Sequence, residues 1–515
     1  GFPAAESAMA SPPPTEYRLV DLGPIEFFPN ETAASTVNGT FGINNHGEVA
    51  FARQNVEDPT EIEPRAHIWL PEAITNWSEG FHLIPNLGTT SIARDINDAR
   101  IVVGQDAGIA DNILYSEAFS YDLSNPMTPP TMYLQTGSHW SSGHAITEDT
   151  DPDPDPMKAV YWMCGHTEFV VCDIGEVTDE GTRGFYVQVG ASASTKEILE
   201  GLPMDDDSSR AFDLVPPVAT GPGVLDVQPV GDSDEVFAPE NCVPNGASPC
   251  RQRQDPVFWR TSVVPAEMDD SPGGLGSHAR GINTDGTAVG WSFGPATSCT
   301  TTLYAALWEY DTSTNGYPTR VDLPALAPDN SSIALGINDA SSPTVVGLDT
   351  RDNLALRWFD DGTGWAVADR NPLTSGFNCL PIDELWSAMD VNDNGWIVGW
   401  GVDNQSEPEV GNVPRAFVLL PIECREDVNH DGEVDTDDLL EVLGAWGTHA
   451  TEGVIYPDTN FDCQIDVSDL LAVLAQWGEG CDGQGSVPTS VQDCFDRYGS
   501  DITALQACLQ AVSSP

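Results

Sequence analysis

Two runs of oxygen-bearing side chains, 31 positions apart, dominate the C-terminal part of this 515-residue chain. The first reads Asp427-Val428-Asn429-His430-Asp431-Gly432-Glu433-Val434-Asp435-Thr436-Asp437-Asp438. The second reads Asp458-Thr459-Asn460-Phe461-Asp462-Cys463-Gln464-Ile465-Asp466-Val467-Ser468-Asp469. Side-chain oxygens recur at loop positions 1, 3, 5, 9 and 12, and Glu433 and Gln464 supply a backbone carbonyl at position 7. That spacing wraps a short loop around a hard divalent cation, so each copy is expected to hold one calcium ion. Gly432 occupies the sharp turn of the first loop, whereas Cys463 replaces glycine in the second, which is expected to bind more weakly.

The same apolar segment follows each loop: Leu439-Leu440-Glu441-Val442-Leu443 through Trp446, and Leu470-Leu471-Ala472-Val473-Leu474 through Trp477. Both are expected to be helices that pack together once both loops close on their ions. Position 12 is aspartate rather than the bidentate glutamate of sensor loops, and no helical pattern precedes either loop. In these features residues 423–482 resemble a dockerin module. The resemblance implies a docking device that fixes an N-terminal cargo to a receptor. The chain departs from cellulosome dockerins at Thr436-Asp437 and Val467-Ser468 and in the lack of basic helix residues, so the partner is open between a cohesin, another receptor and a second copy of the chain. Beyond it, residues 483–515 read as a linker and a small helical hairpin bracketed by Cys494 and Cys508.

Eighty acidic against 20 basic side chains give a net charge of −60, which repels nucleic acid and anionic membrane. With 40% hydrophobic residues, 14 Trp and 18 Phe the chain can bury a large core, and no apolar run is long enough to span a membrane. It begins at Gly1, after a removed secretion signal or at an artificial boundary, with a Pro-rich arm over residues 1–16. Eleven cysteines suit an oxidising, extracellular setting. Cys164 with Cys172 and Cys242 with Cys250 are expected to staple loops, and Cys299 with Cys379 is a plausible long-range bridge. Glycosylation triplets begin at Asn30, Asn38, Asn76, Asn330 and Asn404.

Residues 17–422 carry an internal repeat. Phe41-Gly42-Ile43-Asn44 with Gly47 recurs as Arg94-Asp95-Ile96-Asn97 with Gly104, Arg280-Gly281-Ile282-Asn283 with Gly286 and Gly290, Leu335-Gly336-Ile337-Asn338 with Gly347, and Met389-Asp390-Val391-Asn392 with Gly395 and Gly399. Degenerate copies at His144–Thr147 and Arg210–Asp213 bring the count to seven. Asn three residues before Gly predicts a type I turn closed by a left-handed glycine, hence a hairpin. A third, Ala-aromatic strand (Ala66, Ala118, Ala306, Ala416) and a short fourth strand complete a four-stranded unit. This predicts a mainly β protein, a seven-bladed β-propeller followed by a small α-helical calcium domain. The N-terminal strand Tyr17–Gly23 has the fourth-strand pattern and is expected to close the ring beside Arg415–Leu420. The repeat resembles the bacterial extracellular HAF repeat, named for a His-Ala-Phe strand.

Catalytic patterns are sparse. Gly290-Trp291-Ser292-Phe293-Gly294 matches a nucleophile elbow only in letters, since no helix follows it. His139, His144 and His166 fit no zinc spacing and read as core or solvated residues. The Asp-Pro tract at 149–155 reads as a stiff tongue. The expectation is therefore a secreted, non-catalytic binding or assembly protein. Its propeller is the interaction platform, with a glycan or surface ligand among its possible partners, and its calcium module docks to a protein or to itself. The alternatives are a subunit of an extracellular filament or layer, and a polysaccharide-active enzyme with its site at the propeller mouth.

Overall fold

The computed structural model describes residues 16–25, 41–54, 64–88, 90–110, 113–133, 141–148, 161–173, 176–189, 197–199, 209–221, 224–235, 253–259, 265–268, 276–293, 302–311, 317, 319–327, 330–371, 374–375, 379–403, 413–422, 424–429, 432–449 and 451–478. They form two compact units: Tyr17–Leu420 with Thr451–Val454, and Pro421–Ala450 with the residues from Ile455 on.

The first unit is a seven-bladed β-propeller. Six sheets each order four consecutive antiparallel strands from the axis outward, as in Thr90–Ile96, Ile101–Ala110, Ile113–Asp122 and Thr131–Met132. The seventh combines Glu384–Val391, Ile397–Asp403 and Val413–Ile422 with the N-terminal strand Glu16–Pro24, so the two ends of the repeat array close the ring as expected. A short strand Thr374–Ser375 extends that sheet parallel to the N-terminal strand, with Tyr17 opposite Thr374. The N-terminal strand thereby covers the edge that Val413–Ile422 would otherwise expose. Packing between blades uses the third-strand aromatics: Trp69, Phe119, Trp259, Trp308, Trp358 and Phe417 are each at most 3% exposed.

One device recurs in six blades. The inner strand carries one extra residue opposite the second-strand glycine. Ala93 faces Gly104 while Asp95 faces Val103, leaving Arg94 as the bulge. The same register places His144, Phe212, Arg280, Leu335 and Met389 as bulge residues in the following blades. A Cβ on the facing glycine would lie 1.8–2.1 Å from the inner-strand carbonyl at Gly104, Gly165, Gly231, Gly290, Gly347 and Gly399. The repeat glycine is thus required by close backbone approach rather than by a turn.

The predicted turns are present. Gly47, Gly286 and Gly395 have φ of +75°, +81° and +76°, and Arg100 adopts +64° where its copy lacks the glycine. Arg100 Nε compensates by binding the buried Glu48 at 2.7 Å. Within the same unit, Trp69 Nε1 donates to the Gly453 carbonyl at 2.8 Å, and Glu452 pairs with Arg53 at 2.6 Å.

In the second unit, α1 (Thr436–Gly444) and α2 (Val467–Ala475) begin where the two loops end. Asp435 and Asp466 cap them, each in a reciprocal box with the position-12 aspartate. Val428, Val434, Val442, Ile465 and Val473 form their shared core.

One expectation is corrected. Cys164 is a free, buried thiol rather than half of a local staple. It and Cys172 lie on one continuous strand, Tyr161–Asp173, where eight residues span about 26 Å, far beyond disulfide reach. Asn330 is 6% exposed, and its amide donates to Asp349 and Asp352, so that triplet does not present an open glycosylation site. Cys379, Cys424 and Cys463 are disulfide-bonded. The arm before Glu16, the Asp-Pro tract, Cys242, Cys250, Cys299, His139, the C-terminal hairpin and the triplets at Asn30, Asn38 and Asn404 lie outside the described residues.

Candidate functional site

The inner strands run in register, so equivalent repeat positions form successive layers around the axis. Nearest the hairpin turns is a ring of asparagines. Asn44, Asn97, Asn283, Asn338 and Asn392 each accept with Oδ1 an amide four or six residues ahead, holding their own turn. Each donates with Nδ2 to a carbonyl of the next blade: Asn44 to Asn97, Asn97 to Thr147, Asn283 to Asn338, Asn338 to Asn392 and Asn392 to Asn44, at 2.8–3.3 Å. One residue further on, side chains take the amide of the preceding blade. Asp98 accepts from Asn45, Glu148 from Asp98, Asp339 from Thr284 and Asp393 from Asp339, at 2.6–2.7 Å.

Below the asparagines, the equivalent positions read Gly42, Asp95, Ala145, Asp213, Gly281, Gly336 and Asp390 from the first blade to the seventh. Each aspartate accepts the amide following it and one from the next blade, Ile146, Ile282 and Ile43 respectively. Burial pushes Asp95 up to about 7, with the charge of Asp390 adding to it, and Asp390 up to about 6. Burial drives Asp213 well above the carboxylate range, and it raises Glu148 to about 7, helped by Asp98 and Asp95.

The bulge residues form the deepest layer. All six, with Phe41, line an axial cavity of about 230 Å³ that also reaches the aspartates and the acidic rim. Its wall is divided: Arg94, His144, Phe212 and Arg280 come from blades 2–5, and Phe41, Leu335 and Met389 from blades 1, 6 and 7. The Arg280 guanidinium lies 3.6 Å from the Phe212 ring centre and 4.8 Å from that of Trp291. His144 Nε2 and His166 Nδ1 are 2.6 Å apart. Burial holds both rings well below the usual histidine range, so both are neutral and one ring's N–H donates to the bare nitrogen of the other. Behind them Asp232 meets His278 at 2.9 Å and Arg210 at 3.7 Å. Ser292 of the apparent elbow is fully buried within a strand and hydrogen-bonds the Phe293 carbonyl, a structural position.

In the second unit the two loops share one bond pattern. The position-1 carboxylates of Asp427 and Asp458 accept the position-6 amides of Gly432 and Cys463. Those of Asp438 and Asp469 accept the amides at positions 2 and 9, from Val428 and Asp435 and from Thr459 and Asp466. Gly432 and Cys463 have φ of +90° and +70°, so the left-handed turn forms in both copies. Asp427, Asp438, Asp458 and Asp469 are at most 5% exposed. Glu433, Asn460, Asp462 and Gln464 lie exposed, Asn429, Asp435 and Asp466 are half-buried, and Asp431 is outside the described residues. Among the described residues no three His, Cys, Asp or Glu side chains are already gathered as a metal cluster. The donor types, the turns and the buried carboxylates nevertheless fit calcium, which would offset the cost of burying them.

The outer faces of the helices also repeat. Leu440, Leu443 and Trp446 are 56%, 46% and 46% exposed, and their counterparts Leu471, Leu474 and Trp477 are 58%, 47% and 42% exposed.

Sequence reasoning located the loops and the turn asparagines but missed the bulge layer and the three aspartates. The available signal was the second-strand glycine with the Asp or Gly preceding each Ile-Asn or Val-Asn pair.

No protein-family model and no curated protein matches the chain. Among solved structures it is similar to hydrazine synthase of Kuenenia stuttgartiensis, at 10% identity and a TM-score of 0.32, over 70% of this chain and 44% of that one. It therefore spans less than half of that chain. It is also similar to a tricorn protease, at 9% identity and a TM-score of 0.35, over 94% of this chain and 42% of that one. A luciferin-regenerating enzyme matches at 10% identity and a TM-score of 0.27, over 62% and 92%.

Proposed function

We propose that the chain is a secreted binding and assembly protein. Its propeller, built of HAF-like repeats, is an interaction platform, and its C-terminal unit is a dockerin-like module that attaches it in a calcium-dependent manner. The observation that carries this reading is the duplicated ridge of Leu440, Leu443 and Trp446 and of Leu471, Leu474 and Trp477, each set placed by a helix and the turn after it, with an N-cap aspartate that belongs to the preceding loop. Large apolar side chains left in water in two equivalent rows suit a complementary apolar protein surface. Calcium would be held by Asp427, Asn429, Asp431, Asp435, Asp438 and the Glu433 carbonyl, and by Asp458, Asn460, Asp462, Asp466, Asp469 and the Gln464 carbonyl. It would neutralise the buried carboxylates and so hold both helices at their loops. The disulfide-bonded Cys379, Cys424 and Cys463 support an extracellular setting.

Size-exclusion chromatography with light scattering, in millimolar calcium and then in chelator, tests the reading. Calcium-dependent multimers that dissociate in chelator and in Trp446→Ala/Trp477→Ala would identify a second copy as the partner. A monomer that captures a receptor only with calcium would identify a separate one. Retention of every interaction in chelator would sink the calcium-dependent reading.

A further inference from the structure

We propose that the axial cavity of the propeller is a binding site for a small zwitterion of the α-amino-acid kind with an apolar side chain, a site separate from the docking ridge. The cavity is polarised along its axis by the repeat itself. On the inner strands of blades 2, 4 and 7 the bulge residue, Arg94, Phe212 or Met389, precedes Asp95, Asp213 or Asp390, and on blades 2 and 7 a rim carboxylate, Asp98 or Asp393, lies three positions beyond. The order from inside out is therefore Arg94 and Arg280, then Asp95, Asp213 and Asp390, then the rim carboxylates. Consecutive strand positions are separated by about 3.3 Å, close to the span between the carboxylate and ammonium groups of one amino acid.

A carboxylate set against Arg94 and Arg280 meets charged donors suited to paired N–H···O bonds. Stacking on Phe212 fixes the Arg280 plane by its face, while guanidinium donors radiate from its edge. An ammonium one layer outward meets the acceptor oxygens of Asp95, Asp213 and Asp390, and its positive charge would favour the ionised carboxylates that burial otherwise disfavours. A simple anion would instead have to sit within reach of those aspartates unpaired, and a simple cation would face the arginines. Phe41, Leu335 and Met389 on the opposite wall provide an apolar surface for a side chain. The volume of about 230 Å³ is below the roughly 300–1,000 Å³ of drug-sized pockets, which limits the ligand to a single small molecule.

The test is calorimetric titration of the full chain, with calcium present, by L-leucine, by 4-methylpentanoate and by isoamylamine. These three share an apolar body and carry both charges, only the anion, or only the cation. Leucine should bind at least tenfold more tightly than either singly charged probe. Arg280→Gln and Asp213→Asn should each weaken it about tenfold, with thermal unfolding checking that each variant is folded. Should Arg280→Gln fail to fold, Arg94→Lys supplies the second measurement: it keeps the charge, loses the fork and should still weaken leucine. Equal binding of 4-methylpentanoate would overturn the role of the aspartates, and equal binding of isoamylamine that of the arginines. No binding of leucine, or binding indifferent to these substitutions, would overturn the site. None of these outcomes bears on docking by the helices, which is read separately with chelator.

Discussion

Asn392 Nδ2 donates to the Asn44 carbonyl at 2.8 Å, joining the last blade to the first across 348 positions of sequence. The same side chain accepts the Trp396 amide at 2.9 Å, so one residue both closes its hairpin and links the ends of the ring.

Asn392→Ala should therefore cost more than an ordinary turn substitution. The Trp396 amide loses its partner, at about 1–3 kcal/mol, and the Asn44 carbonyl keeps only the Gly47 amide, both where the ring closes. Denaturant unfolding followed by tryptophan fluorescence should show a lower midpoint for Asn392→Ala than for removal of the exposed Asn394 side chain, which also bonds the first blade, through the Asn45 carbonyl.

Two glycine substitutions should have opposite signs. In Gly399→Ala the new Cβ would lie 2.0 Å from the Ser387 carbonyl, so the bulge or the strand pair must shift, at a cost of roughly 1–3 kcal/mol or more. Gly444 in α1 has open space around it, and alanine there should stabilise the helix by up to about 1 kcal/mol. Thermal scans of the two variants check both directions.

Asp95 is raised from 3.8 to about 7 and Asp390 to about 6, both by burial first. Groups raised in the folded state add stability that is complete below pH 3.8 and is lost as pH rises through the folded values. For the propeller this contribution should fall between pH 4 and pH 7. Each tenfold gain in proton affinity on folding corresponds to about 1.4 kcal/mol, so the change amounts to a few kcal/mol. Asp95→Asn should flatten that part of the profile, and a profile already flat in the unsubstituted protein would contradict the assignment.

Calcium titration should report two sites per chain, with the helical signal of α1 and α2 falling in chelator. Asp438→Ala and Asp469→Ala should each remove one site and also uncap one helix, at about 1 kcal/mol. Retention of two sites in Asp438→Ala would contradict its place as the position-12 ligand.

Arg100→Ala should be more damaging than Arg100→Gly. Both remove the ion pair to Glu48, which is 2% exposed, but only glycine relieves the φ of +64°. A difference of about 1 kcal/mol in unfolding free energy is expected.

Blade number, strand order and ring closure were legible because they rest on local rules repeated seven times. A turn such as Asn44 to Gly47 needs only its own residues. The two loops were legible for the same reason, since twelve contiguous residues set the turn and the carboxylate bonds of each. The failed staple between Cys164 and Cys172 shows the limit: short spacing suggested proximity, but a strand 13 residues long keeps the two apart. Cys463 shows another. It departs from glycine at a left-handed turn, and it is disulfide-bonded, a bond no glycine could form.

The sequence by itself determined the periodic elements, the hairpins, the seven-unit ring and two loops rich in side-chain oxygens, because each follows from residue type and short-range spacing. Only the tertiary structure decided what faces the axis. Arg94, His144, Phe212 and Arg280 come from four different blades, and each points inward because a glycine on the neighbouring strand leaves room for a bulge. Their assembly into one cavity depends on strands brought together from distant parts of the chain, a relation that periodicity along a single strand does not encode.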